Sequence, residues 1–183
     1  MCASPTRCSS IPRACGSLPD ITLLEPVTRL VLRGRPGTIE AASFGVPLSP
    51  EPSRSVTVGD RSTLHLGPDE WWLFAPDGDR DAIVAGLAAS LANTPHSLVD
   101  VSHRQVGLHV AGRNAATVLA AFCPLDLDLK MFPNRACTRT VFSKADVMVW
   151  RRGADAFHVE VARSFLAYVS YLLRREAAWQ AMV

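Results

Sequence analysis

Leu30-Val-Leu-Arg-Gly34-Arg-Pro-Gly, running on through Phe44, and Leu108-His-Val-Ala-Gly112-Arg-Asn-Ala, running on through Phe122, decide how this chain is read. Each is an alternating apolar run, then a glycine turn, then a short helical stretch. Gly34 and Gly112 are 78 residues apart, as are Arg35 and Arg113, and Phe44 and Phe122. Further on, Ser53-Arg54-Ser55-Val56 resembles Thr138-Arg139-Thr140-Val141, and Gly67-Pro68-Asp69 resembles Gly153-Ala154-Asp155. The offset grows to 85 and 86, which places an insertion between the short helix and the later strands of the second half.

The Gly-x-Asp pairs lie between alternating apolar runs. Leu64 and Leu66, then Trp71 to Phe74, flank the first; Val147 and Val149, then Phe157, Val159 and Val161, flank the second. Both predict strand–turn–strand hairpins. A helix follows each. Asp79-Arg80-Asp81 opens one, with Ile83, Val84, Leu87, Ala88 and Leu91 as its stripe and Pro95 past its end. The other begins near Arg163-Ser164, with Phe165, Leu166, Val169, Leu172 and Leu173 as its stripe and Arg174 and Arg175 late in it. The expected fold class is therefore α+β: two β-α-β-β-α repeats forming a shared, mainly antiparallel sheet with helices packed on it. The expected organisation is a disordered N-terminal extension over 1–20 and one duplicated domain over 21–183, with halves of about 21–95 and 96–183.

Composition narrows function by exclusion. Of 183 residues, 48% are hydrophobic, enough for a core. Net charge is +2, from 19 basic and 17 acidic residues, which gives no electrostatic case for nucleic acid. No apolar run reaches the ~18 residues of a membrane span. The five cysteines are odd in number and include no C-x-x-C pair, so reduced thiols in a cytoplasm are expected. Cys2, Cys8 and Cys15 offer thiols to a metal, but at a loose spacing for a ligand set. No dinucleotide-binding or Walker glycine loop is present.

The polar and aromatic clusters each admit two readings. Asp100-Val-Ser-His103-Arg104 is a base beside an anion clamp, or a strand whose polar face lies at a subunit contact. Cys123, behind a short helix and before Pro124, reads as a buried apolar thiol rather than an activated one. Arg139 grips a carboxylate or phosphate with its fork, or holds two elements together through backbone carbonyls. Trp71 and Trp72 are core or interface anchors sooner than a stacking pocket. His103, Arg104, Arg139, Arg163, Trp71 and Trp72 are thus candidates for an interface or polar cluster; no catalytic, cofactor-binding or metal-ligating set is assigned.

The order of Val99-Asp-Val-Ser-His-Arg-Gln105, Cys123-Pro-Leu-Asp-Leu127, Phe132-Pro133, Cys137-Thr-Arg-Thr140, Lys144-Ala145, Val149-Trp-Arg151 and Glu160-Val-Ala-Arg-Ser-Phe165 resembles the gamma subunit of heterotetrameric bacterial sarcosine oxidases. Leu66-Gly-Pro-Asp-Glu-Trp-Trp-Leu-Phe-Ala-Pro76 adds to it, and Asn134-Arg135-Ala136 departs from it in being less glycine-like. The resemblance implies a fold related to the folate-binding aminomethyltransferase domain and a role without cofactor in this chain. It implies alpha, beta and delta partner subunits that hold FAD, FMN, NAD, tetrahydrofolate and zinc. The complex would demethylate sarcosine to glycine and pass the methyl carbon to tetrahydrofolate. A folate-binding protein or stand-alone folate-dependent enzyme, and the equivalent subunit of a complex acting on dimethylglycine or N-methylglutamate, are the alternatives.

Overall fold

The computed structural model describes residues 18–39 and 42–182. In it the two opening segments are equivalent strands, β2 (Val27–Gly34) and β7 (Gln105–Ala111). Around β2 stand β3 (Ser55–Val58), β4 (Arg61–Gly67) and β5 (Glu70–Pro76); around β7 stand β8 (Cys137–Phe142), β9 (Ala145–Gly153) and β10 (Ala156–Ala162). Both predicted hairpins form, β4–β5 and β9–β10. Equivalent registers agree: Leu30 lies opposite Leu73, and Leu108 opposite Val159.

The remaining strands, β1 (Asp20–Leu23) and β6 (His96–Asp100), are exchanged between the halves. β1 pairs with β7 and β6 with β2, giving two five-stranded antiparallel sheets of matching order, β3-β4-β5-β2-β6 and β8-β9-β10-β7-β1. The α+β class and antiparallel pairing agree with the sequence reading, but the strands divide between two sheets instead of one. The reason is that β5, β9 and β10 are buried along nearly their whole length. Strands apolar on both faces need cover on both, so the sheets stack on each other and the helices cover the outer faces.

Three cores result. Leu30, Leu32, Trp71 and Leu73 pack outward on Ile83 and Leu87 of α1 (Arg80–Ser90) and on Phe44 of the 3₁₀ turn Ala42–Phe44. Leu108, Val149, Phe157 and Val159 pack outward on Val118 and Leu119 of α2 (Ala115–Ala120) and on Val169 and Leu173 of α3 (Leu166–Gln180). Leu64, Trp72, Phe74, Cys137, Met148 and Trp150 fill the space between the sheets. A 3₁₀ turn, Arg163–Phe165, precedes α3, and Phe165 points to solvent rather than joining the stripe. None of the described helices is long and apolar enough to cross a membrane.

Three further expectations shift. β1 begins at Asp20, the last residue of the expected extension, and residues 1–17, with Cys2, Cys8 and Cys15, lie outside the described residues. The strand expected through His103-Arg104 stops at Asp100. Its carboxylate accepts the Ser102 amide at 2.8 Å and hydroxyl at 2.6 Å, closing a turn that leads from one sheet to the other. Arg139 is not the counterpart of Arg54. The β3–β4 hairpin closes at Val58 and Arg61 and the β8–β9 hairpin at Phe142 and Ala145, which matches Arg139 to Ser55. One residue of slip moves a side chain to the other face.

Candidate functional site

On β2, alternate residues turn inward between the sheets, and two of them are arginines. Arg29 Nε donates to Glu160 Oε2 at 2.8 Å, with side-chain exposures of 3% and 0%. Its Nη1 donates to the Val27 carbonyl at 3.0 Å. The other oxygen of Glu160 lies 2.6 Å from Nε2 of the buried His158, whose Nδ1 has no partner among the described groups. The Arg29 amide donates to Ser102 Oγ at 2.9 Å, tying this centre to the Asp100 turn. Burial alone would raise the Asp100 carboxyl above its ordinary range; the Ser102 donors and the Arg80 charge bring it below.

The duplication makes this centre legible. Arg29 and Gly107 are equivalent positions, as are Trp72 and His158, and Phe74 and Glu160, by strand register. A side chain at Gly107 would start 2.9 Å from both Glu160 Oε1 and His158 Nε2. The missing side chain on one half thus leaves room for the acid and histidine that meet the long arginine from the other.

The inter-sheet space opens at both ends. One mouth is a cleft of about 710 Å³ lined by Val31, Val99, Val141 and Met148, with Arg104 and Gln105 at its edge. Its floor is Glu70, 3% exposed. The Glu70 carboxylate accepts Trp72 Nε1 at 3.0 Å, Arg33 Nη2 at 3.0 Å and both terminal nitrogens of Arg139. The Arg139 guanidinium also lies 5.5 Å from the centre of the Trp72 ring. The opposite mouth, about 520 Å³, is lined by Phe74, Trp150 and His158, with Arg152 4.6 Å over Trp150. Glu70 and Arg29 belong to one sheet, Arg139 and Glu160 to the other. Each ion pair therefore cross-links the two halves.

The six candidate residues separate accordingly. Trp72 and Arg139 meet at the first mouth, and Arg104 lines it. His103 and Arg163 do not line it but join each other beside Arg104, where the Arg163 amide donates to the Arg104 carbonyl at 2.9 Å and its Nε to the His103 carbonyl at 3.1 Å. Trp71 faces the opposite side of its sheet, stacked on His65 and donating to the Ser49 carbonyl at 3.1 Å. Arg139 ties the two sheets together through the Glu70 carboxylate rather than through backbone carbonyls.

Arg29, Glu70, His158 and Glu160 were not singled out from sequence. The available signal was charge at alternate positions of otherwise apolar strands, in Arg29-x-Val31-x-Arg33 and His158-x-Glu160.

Cys123 and Cys137 are free and buried, as read for Cys123. Burial pushes the Cys137 thiol up to about 12, against lesser lowering by the His65 backbone and Arg54. The thiol form is thus favoured by folding, and that contribution is present below the ordinary thiol range and fades as pH rises toward 12. Cys137 is accordingly expected to resist alkylation at pH 8 while the protein is folded and to react on denaturation, as read by peptide mass. Rapid labelling of folded protein would contradict this burial.

The family model described as "Sarcosine oxidase, gamma subunit family" matches residues 41–179. The sarcosine oxidase subunit gamma of Corynebacterium sp. (strain P-1) is 30% identical over 117 residues, which are 64% of this chain and 57% of that relative. The chain thus spans little more than half the length of that relative. Among solved structures, the heterotetrameric sarcosine oxidase from Corynebacterium sp. U-96 in complex with pyrrole 2-carboxylate contains a chain that matches at TM-score 0.81 and 26% identity, covering 89% of this chain and 85% of that one. The glycine cleavage system aminomethyltransferase T from Bartonella henselae matches at TM-score 0.66 and 15% identity, covering 87% of this chain and 46% of that one, a likeness of fold.

Proposed function

This chain belongs to the sarcosine oxidase gamma subunit family, and from that membership we propose that it is the gamma subunit of a heterotetrameric sarcosine oxidase, a non-catalytic component that docks on larger subunits and stabilises the assembly. The observation that carries the non-catalytic role is how the buried charges are used. Glu70 is held by Arg33, Arg139 and Trp72, and Glu160 by Arg29 and His158. Carboxylates so occupied are not poised as bases, and arginines so occupied do not clamp a substrate. They hold two sheets in fixed relation, which is what a docking scaffold requires.

In this reading the complex oxidatively demethylates sarcosine to glycine and passes the methyl carbon to tetrahydrofolate. FAD, FMN, NAD, tetrahydrofolate and zinc reside in the alpha, beta and delta subunits. The choice among sarcosine, dimethylglycine and N-methylglutamate falls to the flavin-bearing subunit. Purifying the complex with and without this chain tests the role: without it, assembly and thermal stability should fall, with activity lost in proportion. Full activity and stability in its absence would overturn the proposal.

A second reading, folate binding by the chain alone, is favoured by the fold likeness to the aminomethyltransferase and by a mouth carrying Trp72 and Arg104. Fold by itself does not settle function. Titration of the isolated chain with tetrahydrofolate separates the two, since stoichiometric binding belongs only to the second.

A further inference from the structure

α3 buries Val169, Leu172, Leu173 and Ala177 against the second sheet. A surface helix packed in this way normally turns charged and polar residues to solvent on its other side. Here the other side carries large apolar side chains beside its charges. Tyr171 is 63% exposed, Trp179 59% and Met182, just past the helix end, 72%. Large apolar side chains grouped in water on one face mark a surface for interaction.

The charges on this face are of one sign. Arg174 and Arg175 lie among the apolar residues. Among the described residues neither of the two has a carboxylate within 4 Å. The nearest acid on the helix, Glu176, accepts from Gln180 at 2.9 Å. Arg175 lies 5.9 Å from the ring centres of both Tyr171 and Phe122, so its head group is partly ordered in advance. Tyr, Trp and Arg together are the composition of interface hot spots.

We propose that this outward face of α3 is the docking surface of the chain, and that it is covered by an apolar groove edged with carboxylates on another subunit of the same complex. The inference rests on the reading given under Proposed function. An arginine removed from water without a partner is strongly unfavourable, so the covering surface must bring acids opposite the two, with Tyr171 and Trp179 supplying the apolar contact. A second copy of this chain does not fit, because it would set one cationic face against another.

The test is co-expression of the complex with the wild-type chain, with the charge-reversed pair Arg174→Glu and Arg175→Glu, and separately with Trp179→Ala. All three positions are exposed, and unchanged melting of each isolated variant confirms folding. The wild-type chain should co-purify with the flavin-bearing subunits and be shed as salt rises. The charge-reversed chain should be retained at least tenfold less well, and Trp179→Ala should also weaken retention. Retention of both variants at wild-type level would overturn the inference while leaving the proposed function standing. Loss of retention accompanied by loss of self-association, or of binding to anionic vesicles, would assign the face to another occupant and also overturn it. A wild-type chain that does not co-purify at all would instead remove the proposed function, and the inference with it.

Discussion

Replacing Arg29 with alanine should lower the stability of the isolated chain by about 3–5 kcal/mol, the usual cost of leaving one partner of a buried ion pair alone. Glu160 would keep only His158, in a site where its side chain is 0% exposed. The measurement is the midpoint of urea unfolding at constant slope. A companion variant sharpens the result. Adding Glu160→Gln to Arg29→Met removes the stranded charge while keeping an acceptor for His158. The double variant should therefore recover part of the loss caused by Arg29→Met alone, contrary to additivity. An Arg29→Ala protein within 1 kcal/mol of wild type, or a double variant no better than the single, would show that this pair does not hold the halves together.

Gly107→Ala is the second large effect. The added methyl would stand 2.9 Å from Glu160 Oε1, 2.9 Å from His158 Nε2 and 3.0 Å from Leu24 Cδ1. Neither polar atom can retreat freely, since each is bonded to the other and Glu160 is also held by Arg29. Overpacking of this kind costs about 1–3 kcal/mol. Gly78→Ala is the control: nothing lies within 4 Å of the added atom, and its effect should stay within about 0.5 kcal/mol. Equal effects of the two substitutions would remove the case that Gly107 makes room for the buried charges.

Much of the fold could be read before any coordinates. The spacing of Gly34 and Gly112, the alternation on either side of Gly67 and Gly153, and the stripes of Ile83 and Leu87 and of Val169 and Leu173 correspond to equivalent strands, hairpins and packed helices. Apart from the glycine spacing, which compares two copies of one unit, those are local patterns, each contained within one turn of helix or a few strand residues.

The centre of the molecule was harder to see. Arg29 and Glu160 are 131 residues apart, and a charge in a short strand looks solvent-facing until its partner arrives. Trp71 and Trp72 were grouped together, yet alternation sends one to the helix side and the other between the sheets. His103 and Arg104 left the strand assigned to them because the Asp100 carboxylate captured the Ser102 donors.

The sequence by itself determined the duplicated order of elements, the antiparallel hairpins and the buried Cys123 thiol, because periodicity and turn chemistry act between near neighbours. Only the tertiary structure decided that the halves exchange β1 and β6, that the sheets stack face to face, and that Arg29, Glu160, Glu70 and Arg139 meet between them. Strand partners are chosen by where apolar faces find cover and where buried charges find opposite charges. Both are properties of surfaces brought together from distant parts of the chain.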